Sequence, residues 1–581
     1  MSVTSRVQYT LRIGLLVSSE NAVVTFADHV RARSTDDNVA IRFDDESMTY
    51  REWCSGVASR AALWLNILRS RPEGTSPHIG LLLENTPEFT MWLGVAAVTG
   101  SVIVGINPTR RGAELARDIS HTSCQIVVTE ISQVDLLDGL DLGVTDDGVL
   151  VVESDNYAKK ISAYAGASLP TAQDCPVQPA DTFLLLFTSG TSGAPKAVIT
   201  SHQRLNFVAQ SMNMIIALTP EDTTYICMPL FHSNALFTAW APSLVYGSTI
   251  ALRRKFSASE FLSDVRKFGA TYFNYVGKPL TYILATPEQD DDCDNPLRRG
   301  FGNEGSEIDL LRFAERFDCK LTDGYGQTET GASIVRVPNM PTGSLGVAAQ
   351  ATITVRDPAT NQECPRAIFD TDGRLMNSEE ATGEIVNGGG GTFEGYWNNP
   401  EANRERIRDG AYWTGDLAYR DADGFFYFAG RSADWMRVDG ENFAGAPIER
   451  ILMRHPDVIL AAVYGIPDFD MGDRVMAALQ IQPGTAINPD EFAEFLRAQT
   501  DLGPKWVPTF VQIVEEFPMT PSNKVIKREL VLRRWHDVEI HDNAQLWWRP
   551  VKEIAFSRFT RVEATELRAK FAANNRGALL D

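Results

Sequence analysis

The richest set of chemically active side chains in the sequence lies between Thr188 and Lys196. These nine residues, TSGTSGAPK, hold four hydroxyls, two glycines and a terminal lysine. Glycines let backbone N–H groups approach an anion closely, hydroxyls donate further hydrogen bonds, and a lysine adds a positive charge. The stretch therefore predicts a phosphate-binding loop. The alternative is a flexible Ser/Gly hairpin without a ligand, but such hairpins seldom combine a buried strand with a terminal lysine.

The residues around this loop predict a strand on each side of it. Leu184–Phe187 is a short apolar run typical of a buried strand, and a β-branched run follows Lys196. The P-loop of nucleotide triphosphatases instead ends in Gly-Lys-Ser/Thr and opens a helix. Since Ala194 and Pro195 precede Lys196, we expect a strand–loop–strand arrangement that differs from a P-loop.

Two further stretches hold groups suited to a nucleotide. In DGYGQTE (Asp323–Glu329), Tyr325 offers a flat face for a purine, and Glu329 is a hard oxygen ligand suited to Mg²⁺. In YWTGDL, the carboxylate of Asp416 can accept a hydrogen bond from each hydroxyl of a ribose, and Arg431 could contact ribose or phosphate. The alternatives are a surface turn for the first stretch, a turn aspartate for the second, and a surface ion pair for Arg431.

A fourth stretch, FPMTPSNKVIKRE (Phe517–Glu529), presents Lys524 on a polar turn. A lysine in such a turn is usually only solvated, so its interest depends on the other stretches. No convincing Ser-His-Asp set accompanies them, which disfavours a covalent nucleophile on the enzyme. His202 and His232 are the histidines nearest to the motifs.

An alternation of helix and strand patterns must position these stretches. The predicted elements are a helix within Ser47–Leu68 capped by Thr49, a strand at Ile79–Leu83, helix-then-strand patterns at Ala96–Ile106 and Gln125–Thr129, a helix opened by a capping box at Ser257–Glu260, a strand at Thr271–Val276, a helix at Ile308–Phe317 and smaller β structure in Gly383–Pro400. Such alternation is typical of an α/β fold with a parallel or mixed sheet.

The pattern changes near Gly430. Beyond it we predict a small α+β unit with helices at Ala446–Arg454 and from Asn488, and with strands at Val458–Tyr464, Val475–Ile481 and Phe510–Val514. The chain of 581 residues exceeds one ordinary core. We therefore predict a large N-terminal domain over residues 1–430 and a small C-terminal domain over residues 431–581.

Composition excludes several classes of function. Apolar residues make up 44% and charged residues 22% of the sequence, and the net charge is −21, which disfavours nucleic acid as a partner. The seven cysteines are scattered without a CxxC pair, so we expect neither a disulfide framework nor a zinc site, and a reducing cytoplasm fits best. We expect no signal peptide, and the apolar run Met91–Pro108 is too short and interrupted to span a membrane.

Together the motifs form a family signature. TSGTSGAPK, YGQTE, YWTGD, GRSADW and TPSNK stand in this order within about residues 30 to 535, and closely resemble the adenylate-forming superfamily of acyl-CoA synthetases, luciferases and peptide-synthetase adenylation domains. The resemblance implies a large domain of α/β subdomains with a β-rich part, and a mobile C-terminal lid. It also implies two half-reactions, in which a carboxylate attacks the α-phosphate of ATP and a thiol, that of coenzyme A, then displaces AMP.

The resemblance also implies a role for each matching residue. The β- and γ-phosphates would be bound by the loop residues Thr188, Ser189, Gly190, Thr191, Ser192, Gly193 and Lys196, the α-phosphate by Thr328, and Mg²⁺ by Glu329 and Thr188. The nucleotide base would lie against Gly324 and Tyr325, with Asn303 and Gly326 nearby, and the ribose would be bound by Asp416 and Arg431. Lys524 would contact the reacting carboxylate and the α-phosphate, Gly440 the pantetheine, and His232 the acyl carboxylate. The implied catalytic residues are Lys524, Glu329, Thr188 and His232. For His232, pocket or core packing is the alternative.

Two positions depart from the family pattern. Ala433 stands where the hinge residue is usually Asp or Lys, so the hinge could bend without the usual charged contacts. Asn523 stands where glycine is usual, but asparagine tolerates left-handed backbone angles.

The acyl substrate is predicted to be an apolar acid. FNYVGKPLTYIL, GNEGSE and VDGEN look most like the fatty-acid-transport and very-long-chain branch, some of whose members activate bile acids or sterol side-chain acids. The candidate pocket stretch Met228–Tyr246 lacks an aspartate that could pair with an α-amino group. We therefore expect a medium-to-long fatty or sterol-like acid. The rival hypotheses are a ligase that loads a carrier protein and a non-catalytic nucleotide-binding regulator.

The C-terminal tail is unusually long for such a chain. Residues 545–570 mix basic side chains with Trp547, Trp548, Phe556 and Phe559. This composition could contact an anionic membrane surface. The alternative, which we prefer, is a helix packed along the protein's own acidic flank.

Overall fold

The computed structural model describes residues 24–188, 196–305, 307–329, 331–371, 375–389, 392–431, 435–438, 441–469, 473–499, 502–503, 505–520, 525–540, 545–549, 554–574 and 576–580. The chain forms two units. The first comprises residues 1–333 and 390–409, and the second comprises residues 334–389 and 410–581.

The helices vary from short turns to the twenty-residue α2. In chain order they are α1 (Phe26–Ala32), α2 (Tyr50–Arg69), α3 (Pro87–Thr99), α4 (Gly112–His121), α5 (Ile131–Val134), α6 (Asp155–Ser162), α7 (His202–Ile216), α8 (Ser233–Ala235), α9 (Ala241–Tyr246), α10 (Phe261–Phe268), α11 (Gly277–Leu284), α12 (Glu307–Phe317), α13 (Ser378–Ala381), α14 (Pro400–Arg406), α15 (Gly445–Leu452), α16 (Pro489–Ala498), α17 (Lys527–Arg533), α18 (His536–Ile540) and α19 (Arg561–Ala573). A π-helical turn, Leu236–Trp240, joins α8 to α9.

The strands are mostly short. In chain order they are β1 (Val39–Phe43), β2 (Glu46–Thr49), β3 (His78–Leu82), β4 (Val102–Gly105), β5 (Ile126–Thr129), β6 (Val149–Val151), β7 (Thr182–Thr188), β8 (Lys196–Ser201), β9 (Thr223–Ile226), β10 (Thr249–Leu252), β11 (Tyr272–Val276), β12 (Arg299–Asn303), β13 (Lys320–Tyr325), β14 (Ile334–Val335), β15 (Gly346–Ala348), β16 (Ile353–Arg356), β17 (Gly383–Asn387), β18 (Ile407–Arg408), β19 (Ala411–Arg420), β20 (Phe425–Arg431), β21 (Trp435–Val438), β22 (Glu441–Ala444), β23 (Val458–Pro467), β24 (Asp473–Ile481), β25 (Phe510–Ile513), β26 (Leu546–Trp548) and β27 (Ser557–Arg558).

One sheet of the first unit carries the predicted phosphate loop. Its strand order is β6-β5-β3-β4-β7-β8, and all neighbours are parallel except β7 and β8. Strands β3, β4 and β5 are buried along their whole length, as expected of a parallel sheet covered on both faces. The antiparallel pairing of β7 with β8 confirms the predicted strand–loop–strand arrangement.

The other sheet of the first unit follows the order β13-β12-β11-β9-β10-β1-β2, parallel up to β1 and antiparallel at β2. The helix predicted after Thr49 is confirmed as α2, which Thr49 and Glu52 close with a capping box. The capping box predicted at Ser257–Glu260 is wrong. Helix α10 begins at Phe261 without a side-chain cap, because the hydroxyl of Ser257 instead accepts a weak 3.4 Å hydrogen bond from the Glu260 N–H, one turn before the helix.

The apolar run Met91–Pro108 forms a buried helix and a buried strand, as predicted. Helix α3 has ten buried residues and ends at Gly100, whose φ of 66° is the left-handed conformation that glycine adopts freely. Strand β4 follows it. Among the described residues, no helix is long and apolar enough to cross a membrane.

The second unit contains three groups of strands, one of which is the antiparallel pair β21-β22. Antiparallel strands in the order β16-β17-β19-β20-β15-β14 form a β-rich part, which includes the small β structure predicted in Gly383–Pro400. The order β23-β24-β25-β26-β27 forms a second sheet. Helices α15 and α16 and strands β23, β24 and β25 match the elements predicted beyond Gly430 to within a few residues.

The C-terminal tail belongs to the core of the second unit. Strand β26 pairs with β25, strand β27 pairs with β26, and helix α19 packs three buried side chains. The aromatic residues Trp547, Phe556 and Phe559 are at most 7% exposed. The tail therefore adds two strands to the sheet and packs a helix against the core, rather than forming only a helix along the protein's flank.

Candidate active site

The two ends of the predicted phosphate loop lie directly opposite each other. Thr188 ends β7 and is the register partner of Lys196, which opens β8. The loop residues between them, Ser189, Gly190, Thr191, Ser192 and Gly193, lie outside the described residues. The pairing of β7 with β8 thus brings the two ends of the loop together at the edge of the sheet.

Lys196 is buried despite its charge. Its side chain is 7% exposed, and its Nζ lies 3.3 Å from Oε2 of Glu405 and 5.6 Å from the ring centroid of Tyr396. A buried ammonium needs such a partner, because its desolvation would otherwise oppose burial. The ion pair and the aromatic ring fix the lysine at the end of the loop.

Both partners of Lys196 come from residues 392–406, which we call the cover segment. It runs beside β8, where Ile199 N–H donates to Gly395 O at 3.0 Å and Trp397 N–H donates to Ala197 O at 2.8 Å. The cover segment ends in helix α14, from which Asn403 accepts a 2.6 Å hydrogen bond from Tyr396 N–H and donates to Tyr396 O at 3.2 Å.

Glu394 joins the cover segment to the end of β8. Its carboxylate accepts hydrogen bonds from the N–H of Ser201 at 2.7 Å and from its hydroxyl at 2.5 Å. Ser201 also caps helix α7. Strand β8, which follows the loop, is therefore hydrogen-bonded to the cover segment along its whole length.

Glu329 is a buried carboxylate with one oxygen engaged. It is 7% exposed, and its Oε1 accepts a 2.7 Å hydrogen bond from the hydroxyl of Tyr396. Burial and the adjacent Glu329 charge raise the pKa of Tyr396, so this hydroxyl stays protonated and donates. Within the described part of the chain, no hydrogen bond or ion pair engages Oε2 of Glu329.

This arrangement fits a magnesium ion. Among the described residues, no cluster of three or more His, Cys, Asp or Glu could hold a metal by itself. Mg²⁺ bound with a nucleotide needs only one or two carboxylates, since phosphate and water oxygens complete its shell. Glu329, with one oxygen fixed and the other available, can supply such a ligand.

The predicted adenine residues lie at the ends of two neighbouring parallel strands. Asn303 ends β12, and its Nδ2 donates a 2.5 Å hydrogen bond to the backbone oxygen of Gly324 near the end of β13. A Cβ on Gly324 would lie 3.2 Å from the ring of Phe301, whereas a Cβ on Gly326 would meet nothing within 4 Å. Close packing against Phe301 thus explains why position 324 is a glycine, whereas the absence of a side chain at Gly326 leaves open space beside Tyr325.

Thr328 is hydrogen-bonded through both its side chain and its backbone. Its hydroxyl lies 2.7 Å from the hydroxyl of Ser233, and Nη2 of the buried Arg204 donates to its backbone oxygen at 2.5 Å. Ser233 follows His232, the residue that precedes helix α8. Next in the chain, Asn234 donates to Oδ1 of Asn303 at 3.2 Å. Helix α8 is therefore hydrogen-bonded, through Ser233 and Asn234, to the α-phosphate candidate Thr328 and the adenine candidate Asn303.

The second unit brings the two predicted ribose residues together. Asp416 on β19 is the register partner of Arg431 on β20, and Asp416 is 5% exposed. Gly415 precedes the aspartate with a φ of 74°, which favours glycine, and its N–H donates to Glu384 at 2.5 Å. Gly440, Lys524, Ala433 and Asn523 lie outside the described residues.

Sequence reasoning missed two residues that build the site in the first unit. Tyr396 donates a hydrogen bond to Glu329, and Arg204 donates one to the backbone oxygen of Thr328. Arg204 and Tyr396 lie outside the five motifs. No sequence signal distinguishes them, because their roles depend on contacts between distant segments.

Comparison with known proteins agrees with this geometry. Residues 28–397 match the family described as AMP-binding enzyme, and residues 447–524 match the AMP-binding enzyme C-terminal domain. The chain belongs to the AMP-binding enzyme family. This confirms the predicted membership in the adenylate-forming superfamily, in which the chain groups with acyl-CoA synthetases.

Curated relatives cover most of the chain. A steroid-22-oyl-CoA synthetase from Rhodococcus jostii is 48% identical over 88% of this chain and 91% of its own length. A medium/long-chain-fatty-acid–CoA ligase from Mycobacterium marinum is 47% identical over 84% of this chain and 92% of its own length.

Solved structures share the fold. An ATP-bound MatB from Rhodopseudomonas palustris has a TM-score of 0.73 at 24% identity, covering 89% of this chain and all of its own. An anthranilate CoA ligase in complex with anthranoyl-AMP has a TM-score of 0.74 at 21% identity, covering 87% of this chain and 96% of its own. The predicted α/β class with a large N-terminal and a smaller C-terminal part is confirmed.

Proposed function

We propose that this protein is an ATP- and Mg²⁺-dependent acyl-CoA synthetase. A carboxylate oxygen attacks the α-phosphorus of ATP and pyrophosphate leaves; the thiol of coenzyme A then attacks the acyl carbon and AMP leaves. The observation that carries the proposal is the closed Thr188–Lys196 hairpin, whose cover segment also holds the buried carboxylate of Glu329. Ligases 47% to 48% identical to the chain support it.

We assign the binding of the triphosphate to residues of the first unit. Thr188 and Lys196 would contact the β- and γ-phosphates, with Ser189, Gly190, Thr191, Ser192 and Gly193 between them. The hydroxyl of Thr328, positioned by Ser233, would donate to the α-phosphate. Magnesium held by Glu329 and Thr188 would neutralise negative charge that builds up between the phosphates.

In the second unit, we assign Asp416 and Arg431 to the ribose, because they are cross-strand partners. Lys524 would bring a positive charge to the attacking carboxylate and the α-phosphate in the first half-reaction. Gly440 would leave room for the pantetheine arm in the second, since glycine has no side chain. These two residues would act in different half-reactions.

The acyl substrate we propose is a medium-to-long fatty acid or the side-chain acid of a sterol. The pocket candidates Leu230, Leu236 and Trp240 are at most 1% exposed and apolar. Residues Leu236–Trp240 form a π-helical turn, a feature that is frequent at functional sites. His232 stands before this segment, where it would face the acyl carboxylate.

A panel of acids tests the substrate proposal. Medium-chain, long-chain and steroid acids, with an amino acid as control, would be assayed for AMP and acyl-CoA formation. We expect activity with at least one of the apolar acids and none with the amino acid. Formation of AMP with a carrier protein but not with coenzyme A would instead favour a carrier-loading ligase.

Separate half-reactions test the roles of Lys524 and Gly440. We expect Lys524→Ala to abolish acid-dependent pyrophosphate release but still to convert supplied acyl-AMP and coenzyme A to the thioester. Gly440→Leu should do the reverse and accumulate acyl-AMP. Equal loss of both half-reactions in both variants would contradict the division of roles.

Three further features remain proposals. The first is the domain boundary between residues 430 and 431. The second is a cytoplasmic location, suggested by the scattered cysteines. The third is peripheral membrane contact of the tail, which would have to use its basic side chains because Trp547, Phe556 and Phe559 are buried.

A further inference from the structure

We propose that Tyr396 is a positioning residue for the metal site: its hydroxyl fixes Oε1 of Glu329, so that Oε2 remains available to the magnesium ion. This inference rests on the proposed function, which makes Glu329 a metal ligand. It concerns a residue outside the motifs that suggested that function.

The hydrogen bond between Tyr396 and Glu329 is short and joins two buried side chains. The donor–acceptor distance is 2.7 Å, Tyr396 is 2% exposed and Glu329 is 7% exposed. A carboxylate on a flexible side chain can present either oxygen in several rotamers. A buried hydrogen bond to one oxygen selects a single rotamer, which removes an ordering cost from metal binding.

Tyr396 is itself held more rigidly than a surface tyrosine. Its backbone N–H and C=O are both hydrogen-bonded by Asn403, and its neighbours Gly395 and Trp397 are hydrogen-bonded to β8. Its ring packs edge-on against Phe393, with centroids 5.0 Å apart. The hydroxyl is therefore fixed relative to the strand that leaves the phosphate loop.

The same ring also contacts the loop lysine. The ammonium of Lys196 lies 5.6 Å from the ring centroid of Tyr396, within cation–π range. One side chain thus touches both a predicted phosphate ligand and the predicted metal ligand. This couples the position of the Glu329 carboxylate to the end of the loop.

Replacing Tyr396 with phenylalanine separates the hydroxyl from the ring. Tyr396→Phe keeps the packing and the cation–π contact but removes the hydrogen bond to Glu329, together with the contact between the hydroxyl and Arg406. We expect metal affinity to fall about tenfold, as is usual when a hydrogen-bond partner of a metal ligand is lost. Nucleotide affinity without metal should not change, because the residue does not contact the nucleotide in our assignment.

Metal binding can be measured without turnover. Mn²⁺, used in place of Mg²⁺, is titrated into full-length enzyme with an α,β-methylene ATP analogue, and free Mn²⁺ is counted from its EPR signal. A titration of the analogue alone is subtracted. AMP binding is measured in parallel by calorimetry in the presence of EDTA.

Two control variants make the outcomes distinct. Tyr50→Phe also removes a buried hydroxyl, which donates to Ser248 O at 2.8 Å, and should bind Mn²⁺ like the wild type. Glu329→Gln should lose Mn²⁺ binding. If Glu329→Gln loses Mn²⁺ while Tyr396→Phe retains wild-type affinity, the positioning role is overturned and the metal assignment stands. If Glu329→Gln also retains it, both are overturned.

Discussion

Two stretches outside the five motifs, the cover segment and the C-terminal tail, differ in the kind of contact they make. The cover segment makes polar contacts with the rest of the first unit through Glu394, Tyr396 and Glu405. The C-terminal tail is joined to the second unit mainly by apolar ones, through residues such as Trp547 and Phe559. Each stretch has buried side chains, such as Tyr396 in the cover segment and Phe559 in the tail, yet only the cover segment contacts predicted site residues among those described.

The difference shows that burial alone does not identify a functional segment. Apolar side chains stabilise in proportion to the area they remove from water, whatever surrounds them. Buried polar side chains must find partners, and those partners reveal which groups they orient. The comparison therefore predicts that substitutions in the tail mainly change stability, whereas substitutions in the cover segment mainly change nucleotide and metal binding.

The largest effect is expected in the tail. Phe559 is 1% exposed and packs edge-on against Phe510 and Trp548, with both centroid distances at 5.4 Å. Phe559→Ala should lower the free energy of unfolding of the second unit by about 3–5 kcal/mol. Deleting residues 545–581 should prevent this unit from folding.

Urea unfolding followed by circular dichroism measures the effect of Phe559→Ala. Val562→Ala is the matched control, because Val562 lies on α19 and is 64% exposed. An unchanged unfolding midpoint for Phe559→Ala would show that the tail is not part of the core.

Acid should weaken the first unit through a residue next to the cover segment rather than within it. His202 follows Ser201, is fully buried, and accepts a 3.2 Å hydrogen bond from Phe26 N–H at Nδ1. Burial lowers its pKa to about 4, against the opposing charges of Asp181 and Asp28. The neutral imidazole is therefore the form that the fold accommodates.

The sign of the pH dependence follows from this shift. The unfolded chain binds a proton near the ordinary value of 6.5, but the folded chain does so only near pH 4. Stability is therefore complete above pH 6.5 and falls as the pH drops towards 4, with a loss of about 2 kcal/mol at pH 5. His202→Asn, which can keep an acceptor near Nδ1, should flatten this slope in urea unfolding. A slope equal to that of the wild type would assign the acid sensitivity to other groups.

Much of the fold and part of the site could be predicted from the sequence. Short apolar runs predicted β3, β4 and β7, and Thr49 predicted the start of α2, because these features depend on local patterns. The predicted strand–loop–strand arrangement is confirmed by the pairing of Thr188 with Lys196. The pairing of Asp416 with Arg431 follows from two adjacent strands.

What could not be predicted depends on contacts between distant segments. Tyr396 lies 67 residues from Glu329, and Glu405 lies 209 residues from Lys196. The tail's basic and aromatic composition was compatible with a membrane contact or with packing, because composition does not say which face of a strand is covered. Pairing of β26 with β25 settles the packing of its aromatic side chains.

A smaller effect is expected where α14 holds the cover segment in place. Asn403→Ala removes both hydrogen bonds to the Tyr396 backbone and should cost about 1–2 kcal/mol of stability. It should also weaken Mn²⁺ binding, since Tyr396 then moves relative to Glu329. Asn399→Ala is the matched control, because Asn399 only caps the same helix. Equal Mn²⁺ affinities in the two variants would contradict the link.

The smallest effect is expected at the ion pair of Lys196. Glu405 is 55% exposed, so its pairing with Lys196 should contribute less than about 1 kcal/mol. If Lys196 binds phosphate, Glu405 competes with the nucleotide for it, and Glu405→Gln should lower the KM for ATP by roughly two- to threefold with little change in stability. Lys196→Ala gives the reference, since loss of a charged hydrogen bond should cost about 1–3 kcal/mol in ATP use. A higher KM for ATP in Glu405→Gln would mean that the pair orients the lysine for phosphate instead of competing for it. The cover segment would then contribute to the site through its carboxylate as well as through Tyr396.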